Sequence, residues 1–475
     1  MKERFKTFLL VSLVGITLVF TKKLWIEFPN QVIGIFGSKD EAYSVSYLLS
    51  DMIMPNKYLL TFNEANHTLF YDDSKHKLWT TTRKALAAIL GSKDIKFRDL
   101  LEDEFLKYRG KRSIVFYFPE EVNTYILAKA LDVKDPNYIV DTIPNVKSIH
   151  IYLGKEDSFF VLSNNDKRIA IFDSIIDIDE IKKQFNIIEK SKNYNYYYSM
   201  KDAYKTKNDI YIPYEMKGTL PTIYVENEIR NLDEDKKREM AEKFFDKNID
   251  YIREIVESNG STIYVYNQRV LKFNINGTLE YFHPLEKVVR KSNLYESLST
   301  AAKFISRNPG IPKGMYLDRI KKIKVDDSLG YNLTFRYRVR GIPIILGNEE
   351  VVDFVEIEVF NDQVRSYKHF IRKEMNQVID NIQKEKKMLS SFDVIDMNSD
   401  IFVKNYLEDN DIDLQNSNEI VMKDVLSSIE DINLAYFDPC LKDIGDKLIG
   451  VWVIKTKKAL YAFDVYDGTL VYKNN

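Results

Sequence analysis

The stretch FNINGTLEY at residues 273–281 decides the fold class, because it predicts a β-hairpin that recurs along the chain. A close copy, DVYDGTLVY, occupies residues 464–472, and a weaker copy, EVFNDQV, occupies residues 358–364. Asn-Gly or Asp-Gly between alternating apolar residues favours a type I′ turn, in which both central residues have positive φ. The repeated hairpins therefore predict antiparallel sheets in the second half of the chain.

Helices are predicted ahead of these hairpins. Residues 233–258 begin with three acids and stop at Asn-Gly, residues 294–307 stop before Pro-Gly, and residues 418–431 carry an apolar stripe at helical spacing. We therefore expect a unit made of a helix followed by an antiparallel sheet, and we expect it twice. A charged helix over residues 372–387 is predicted to link the two units.

The first half of the chain predicts a separate α/β domain. Residues 77–90 have the pattern of an amphipathic helix ended by Gly91, and residues 112–118 have the pattern of a strand. A tyrosine-rich stretch at residues 194–198 allows two interpretations. It is either an exposed patch for a sugar or a partner, or an edge strand or linker packed between domains, which is the commoner case.

An uncharged apolar run, TFLLVSLVGITLVFT at residues 7–21, lies between basic residues on both sides. As a helix its length is about 22 Å, and bilayer thinning with snorkelling lysines can make up the difference from the ~30 Å hydrocarbon layer. We predict a transmembrane anchor here. The anchor residues, which are also the candidate partner contacts, are Phe8, Leu9, Leu10, Val11, Ser12, Leu13, Val14, Gly15, Ile16, Thr17, Leu18, Val19 and Phe20.

Two other interpretations of this run were open. A cleaved signal peptide fits the basic start and short apolar core, but no A-x-A-like cleavage site follows. A buried core helix is unusual when it is apolar all round and has basic ends. Because long downstream domains are translocated largely regardless of charge, we expect the N-terminus in the cytoplasm and the bulk of the chain outside the cell membrane.

The fold class expected is α+β: a single N-terminal transmembrane helix followed by a multidomain ectodomain with antiparallel sheets packed on helices. The predicted domain order has a cytoplasmic tail and anchor first, then an α/β domain and two α+β domains that are alike in fold. Their bounds are 1–28, 29–200, 201–372 and 373–475.

Composition excludes several classes of protein. The net charge of the 475 residues is −2, without the basic stripe that a nucleic-acid partner requires. Cys440 is the only cysteine, so an intrachain disulfide and a cysteine-based zinc cluster are both impossible. No further uncharged run approaches spanning length, which predicts a single-pass protein.

The sequence gives no positive sign of catalysis. Its five histidines are scattered, and no H-E-x-x-H, G-x-S-x-G, Walker A or G-x-G-x-x-G motif occurs. Residues 409–420 imitate the start of a calcium loop but lack its glycine and its bidentate glutamate. We therefore predict no catalytic, cofactor or metal site. A carboxylate pair suited to glycoside hydrolysis stays open, because proximity in space cannot be read from sequence.

A series of pieces, in order along nearly the whole chain, resembles proteins of the YycH family. The early pieces are the opening MKERFKTFLLVSLVGITLVFTKKLW, the strand region near Pro55, KLW at 77–79 with its helix, and the step from a strand to Pro119-Glu120. The later pieces are EKFFD (242–246), VLKFNINGTLEY (270–281), LYESLSTAAKFI (294–305) with PGIP (309–312), and IGVWVIKTKKALYAFDVYDGTLVY (449–472). The order of the pieces carries the resemblance, since none is diagnostic alone.

The resemblance implies an extracytoplasmic regulator from a Gram-positive bacterium. Such proteins act with a sister protein, YycI, on the cell-wall sensor histidine kinase called WalK or YycG, within a two-component system. They have no catalytic residues to transfer to this sequence. The alternatives are a surface module that binds cell-wall polymer or a peptide, and a surface hydrolase.

Overall fold

Four β-sheets with helices packed on them make up the described part of the chain. The computed structural model describes residues 49–71, 75–154, 158–172, 177–308, 312, 314–348, 350–375, 386–410, 422–441 and 444–474. The predicted anchor at residues 7–21 lies outside these ranges. Within them, no helix is both long enough and apolar enough to span a membrane.

The first sheet is antiparallel and has nine strands. They are β1 (Lys57–Asn63), β2 (Asn66–Phe70), β3 (Phe97–Asp99), β4 (Ser113–Asn123), β5 (Asn145–Leu153), β6 (Ser158–Ser163), β7 (Arg168–Ile171), β8 (Tyr197–Ser199) and β9 (Tyr211–Pro213). Their order is β3-β7-β6-β5-β4-β1-β2-β8-β9. The accompanying helices are α1 (Leu78–Gly91), α2 (Glu102–Leu106), α3 (Thr124–Ala130), α4 (Ile139–Thr142), α5 (Asp179–Ser191) and α6 (Met200–Tyr204).

Two predictions in this region are confirmed. The helix expected over residues 77–90 is α1, and it buries Trp79 with its ring centroid 5.4 Å from that of Phe116 on β4. The tyrosine-rich stretch is packed rather than exposed, since Tyr194 and Tyr197 are buried and β8 lies next to the edge strand β9. The first sheet therefore continues to Pro213, past the predicted bound at residue 200.

The second sheet has eight antiparallel strands and two helices. They are α7 (Glu234–Phe245), β11 (Arg253–Val256), β12 (Thr262–Tyr266), β13 (Arg269–Phe273), β14 (Leu279–Phe282), α8 (Leu294–Arg307), β15 (Tyr316–Val325), β16 (Ser328–Arg336), β19 (Val355–Phe360) and β20 (Gln363–His369), with a 3₁₀ turn at Ile249–Tyr251. The predicted helix over residues 233–258 is too long. It ends at Phe245 because Asp246 adopts a left-handed conformation (φ 53°), and β11 follows.

The second sheet consists of two similar halves that meet at its centre. The strand order is β11-β12-β13-β14-β20-β19-β16-β15, so each half is a helix followed by four strands, and the final strands of both halves pair. Tyr281 on β14 lies directly opposite Tyr367 on β20. The helix-plus-sheet unit expected once in the central domain therefore occurs twice within this one sheet.

The third sheet has six strands and covers the C-terminal part. They are β17 (Arg338–Val339), β18 (Ile342–Leu346), β22 (Ile429–Asp438), β24 (Ile449–Thr456), β25 (Leu460–Asp464) and β26 (Leu470–Asn474), with helices α9 (Ser391–Met397), α10 (Ser399–Asp409) and α11 (Met422–Ser427). The helix predicted over residues 418–431 ends earlier, because β22 begins at Ile429. The β17–β18 hairpin lies within the predicted central domain, residues 201–372. In the structure it belongs to the third sheet, because β18 pairs in parallel with β22.

All three predicted hairpins are confirmed, but the type I′ turn is wrong for the Asn-Gly and Asp-Gly copies. Only the glycines have positive φ there, with Gly277 at 83° and Gly468 at 74°. Instead, the same type of side-chain hydrogen bond closes each of the two turns. Asn276 Oδ1 accepts hydrogen bonds from Thr278 N (3.1 Å) and Oγ1 (2.7 Å), and Asp467 Oδ1 accepts the same bonds from Thr469 (2.9 and 2.7 Å).

A small fourth sheet joins the second sheet to the third. It consists of β21, β10 and β23 in that order, with bounds Arg372–Glu374, Tyr224–Asn227 and Ile444–Lys447. Residues 372–374, predicted as the start of a charged linking helix, are therefore a strand, because their backbone pairs with β10. Most of the remaining predicted helix lies outside the described residues.

A buried ion cluster lies at this junction. Arg372 donates from Nε to Asp438 Oδ2 (3.0 Å) and from Nη2 to Asp446 Oδ2 (2.6 Å), and all three side chains are at most 5% exposed. Burial raises the pKa of the Asp438 carboxyl, and Arg372 opposes that rise. The cluster connects the strand after the second sheet to two strands of the C-terminal part.

Other polar contacts tie the first sheet to the rest. Lys57 on β1 forms an ion pair with Asp431 on β22 (2.8 Å), and Arg338 Nη1 donates to the Pro55 carbonyl (3.1 Å). One hydrophobic cluster contains buried residues of both the first and the second sheet. The described residues accordingly belong to one compact unit.

We expect Arg372→Met to lower the free energy of unfolding by about 3–5 kcal/mol, because Asp438 stays buried without its arginine. Without Arg372 the pKa of Asp438 rises further, so the native variant binds more protons than its unfolded chain. Lowering the pH from about 7 to 5 should therefore recover part of the lost stability. Urea unfolding followed by tryptophan fluorescence measures both effects.

The matched control is Arg340→Met, which removes an exposed pair with Glu374 and should cost about 0–1 kcal/mol. An Arg372→Met variant that is as stable as this control, or no more stable at pH 5 than at pH 7 relative to wild type, would contradict the role given to the cluster.

A second prediction compares two glycines with similar positive φ. A Cβ at Gly277 would overlap the side chain of Asn227 on β10, whose Oδ1 accepts from Ile229 N (2.9 Å). A Cβ at Gly468 would press only against the flexible end of the Met397 side chain and would make an ordinary van der Waals contact with Leu389 (3.5 Å). We expect Gly468→Ala to cost about 1–2 kcal/mol through backbone strain, and Gly277→Ala to cost clearly more. Equal losses in urea unfolding would show that the contact with Asn227 is energetically unimportant.

Candidate functional site

A cleft of about 820 Å³ opens beside the C-terminal ends of α7 and α8, in the central sheet region. Strand β13, strand β14 and the loop that follows β14 form one wall, and the β19–β20 turn closes it. The volume is within the range of small-molecule sites. Since the two similar halves of the second sheet meet here, each half contributes its helix end and its last strand.

The floor of the cleft is aromatic. Phe244 from α7 and Phe304 from α8 both pack on Tyr281, with ring centroids 5.6 and 5.3 Å apart. Phe304 also packs edge-on against Tyr367 at 5.3 Å. The two pairs with Tyr281 are tilted, and all three pairs avoid the disfavoured face-to-face sandwich. Phe304 is only half-buried, so part of its ring faces the cleft.

The rim is predominantly cationic. Five Lys and Arg side chains from four different elements line the cleft, against three carboxylates. The cations are Lys243, Arg269, Lys287, Lys303 and Arg307, and the carboxylates are Asp246, Glu286 and Asp362. Arg269, Lys287 and Lys303 form no ion pair with any other described residue. The cleft therefore has two more cations than carboxylates, and three of its cations form no ion pair within the described part of the chain.

His283 is the titratable base of the cleft. Its Nε2 lies 3.4 Å from Glu286 Oε1, and its backbone N donates to the Arg365 carbonyl (2.8 Å). Burial and then the Arg269 charge lower the pKa of His283, while Glu286 opposes them. The imidazole is therefore neutral at neutral pH and can both donate and accept a hydrogen bond.

Three of the other histidines are buried in hydrogen-bonded positions. Burial lowers the pKa of His150 to about 3, so it stays neutral. Each of these histidines bonds a side chain of its own sheet: His67 Nδ1 to Thr61 Oγ1 (3.0 Å), His150 Nε2 to Ser148 Oγ (3.0 Å) and His369 Nδ1 to Tyr367 Oη (2.9 Å). His369 Nε2 also bonds Glu228 Oε2 (3.1 Å), which follows β10 of the fourth sheet. Their contacts are those of structural residues.

Cys440 is not poised as a nucleophile. Burial raises the pKa of its thiol to about 12, with the adjacent Asp438 adding to the rise, so the thiolate is not populated at neutral pH. Among the described residues, no group of three or more His, Cys, Asp or Glu side chains is arranged to hold a metal ion. The predicted anchor and partner contacts, residues 8–20, lie outside the described ranges.

The sequence predictions missed this cleft, although a signal for it exists. The motif A-x-K-F occurs at residues 241–244 and again at 301–304, once on each helix. The motif Y-x-H occurs at residues 281–283 and again at 367–369, at the end of each half. Aligning the copies would have shown that Lys243 and Phe244 are equivalent to Lys303 and Phe304, and that Tyr281 is equivalent to Tyr367.

Comparisons with known proteins do not assign this chain to a family. The chain matches no protein-family model and no curated protein. A solved structure of an uncharacterized protein from Eubacterium rectale matches 56% of this chain and 91% of its own, with 15% identity and a TM-score of 0.36. The C-terminal domain of YpeB from Bacillus megaterium matches 51% of this chain and 97% of its own, with 12% identity and a TM-score of 0.24.

Proposed function

We propose that this chain is a membrane-tethered extracytoplasmic protein that regulates a cell-wall sensor histidine kinase, together with a second single-pass protein of the YycI type. The observation that carries the proposal is the apolar run at residues 7–21, flanked by basic residues, ahead of one large folded unit. The resemblance to the YycH family supports it. In this proposal residues 8–20 contact the kinase within the bilayer.

The later pieces of that resemblance fall on helices and hairpins of the described fold. EKFFD ends helix α7, and LYESLSTAAKFI accounts for most of helix α8. VLKFNINGTLEY spans the β13–β14 hairpin, and the last piece spans β24 to β26. Since the pieces fall on the repeated units, the resemblance follows the folded framework of the chain.

The ion pairs that join different sheets make the scaffold resistant to deformation, which is a useful property in a regulator. A protein that contacts a kinase better in one signalling state shifts the kinase equilibrium by that difference in affinity and no more. A scaffold that deforms on contact loses part of this difference. The Arg372 cluster and the Lys57–Asp431 pair oppose such deformation here, because each joins different sheets.

The proposed role is non-enzymatic. Among the residues that could act as nucleophile or base, the buried histidines have structural contacts and the Cys440 thiol is protonated, while His283, which lines the cleft, has no catalytic role in this proposal. A regulator needs surfaces and an anchor but no such group.

The proposal predicts partners that photo-crosslinking can capture. With a photoreactive residue at Ser12 of the full-length protein in its membrane, we expect mass spectrometry to recover a histidine kinase and a small single-pass protein. Ser12 is chosen because polar and small positions make close helix contacts in lipid. Replacing residues 7–21 by an unrelated transmembrane helix that carries the same photoreactive residue is the control, and it should abolish both captures. Recovery of wall enzymes alone would contradict the proposal.

A second candidate function is a surface module that binds a cell-wall polymer or a peptide, and the cationic cleft favours it. For a kinase regulator we expect no retention of the detergent-solubilised full-length protein on purified peptidoglycan above that on uncoated beads. Retention that Arg269→Gln abolishes, while Lys321→Gln on the exposed edge strand β15 leaves it unchanged, would instead support the second candidate.

A further inference from the structure

The cations of the cleft need an explanation beyond helix stability. Lys243 and Arg307 lie in the last turns of their helices, where a positive charge offsets the helix dipole. Lys243 also pairs with Glu239 (2.9 Å). These two cations therefore have ordinary structural roles, and they carry no inference by themselves.

Arg269, Lys287 and Lys303 have no such role. Arg269 is on a strand, Lys287 is in a loop, and Lys303 precedes the last turn of α8. None forms an ion pair with another described residue. Mutual repulsion of cations that line one concave site is unfavourable, and a bound anion removes it.

The arrangement favours phosphate over carboxylate. The cations come from separate elements, with Arg269 on β13, Lys287 in the loop after β14 and Lys303 on α8. A tetrahedral phosphate presents oxygens in several directions to cations on separate elements, whereas a carboxylate presents two oxygens in one plane. Phosphate also carries more charge than a single carboxylate, which suits a cleft in which cations outnumber carboxylates and three cations form no ion pair.

The remaining groups of the cleft define the rest of the ligand. Hydroxyl groups of a ligand can donate hydrogen bonds to the three carboxylates of the cleft, which are Asp246, Glu286 and Asp362. The neutral His283 can donate or accept a hydrogen bond. The exposed part of Phe304 offers a ring face to carbon atoms. We propose that this cleft binds the phosphate ester of a polyol or sugar, with the phosphate between Arg269 and Lys303.

The test uses full-length protein reconstituted in phosphatidylcholine nanodiscs and isothermal titration with sn-glycerol 3-phosphate. We expect one site per chain with a Kd below about 1 mM, weakened by added salt because the contacts are ionic. Glycerol alone and glycerate, in which a single carboxylate takes the place of the phosphate ester, should bind at least about tenfold more weakly, and inorganic phosphate should fall between them and the ester.

Matched variants locate the site. Arg269→Gln and Lys303→Gln should each weaken binding about tenfold, which equals about 1.4 kcal/mol. Lys321→Gln, an exposed lysine on β15 outside the cleft, should leave binding unchanged. Because neither cleft cation forms an ion pair, the unfolding midpoint should stay that of wild type, which separates lost binding from lost folding.

Three results would overturn the proposal: no saturable binding of the ester, equal binding of glycerate, or cleft variants that bind like wild type. A nanodisc comparison then identifies the source of the ligand. If adding phosphatidylglycerol lowers the apparent affinity for the ester in wild type but not in Arg269→Gln, a lipid headgroup occupies the cleft. If phosphatidylglycerol leaves the affinity of wild type for the ester unchanged, the natural ligand of the cleft is a soluble or wall-borne ester and not a lipid headgroup. The inference does not depend on the kinase proposal, since crosslinking and titration fail independently.

Discussion

The buried guanidinium of Arg372 is the constraint on which the C-terminal half depends. Its strand pairs with β10, which precedes the second sheet, and its side chain reaches two aspartates of the C-terminal part. Removing three charges from water is costly, and good geometry only approximately offsets that cost. Such a cluster selects one arrangement among many of similar hydrophobic burial, because any other arrangement leaves a charge buried without a partner. It thereby fixes where the second and third sheets join.

The duplicated central sheet shows how one motif serves two purposes. Both halves end in Y-x-H, and the two tyrosines face each other across the β14–β20 pair. In the second half the histidine is buried and bonds Glu228, beside the junction. In the first half the equivalent histidine, His283, lines the cleft. One copy has become part of the framework, while the other remains accessible to a ligand.

The sequence predicted features that local chemistry determines. The hairpins at Asn276-Gly277 and Asp467-Gly468 are each fixed by a side-chain hydrogen bond to the following threonine, so their positions could be predicted from the sequence. Features that depend on pairing between distant segments could not be predicted in this way. Residues 372–374 have a helical composition, yet strand β10 makes them a strand. The cleft cations come from four elements far apart in sequence, so no window of the chain displays them together. The repeated A-x-K-F and Y-x-H motifs were the available clue.

The pairing of distant strands has a consequence for how the chain folds. Val225 pairs with Asp446, and Ile344 pairs with Tyr436, so each closure waits for residues near the C-terminus. Pairing between distant segments forms slowly, because the entropy of closing the loop is lost before the contacts are gained. During synthesis the first sheet can form early, whereas the edge of β18 stays open until β22 arrives. The nascent chain is therefore most vulnerable to proteolysis and misassembly just before β22 and β23 emerge.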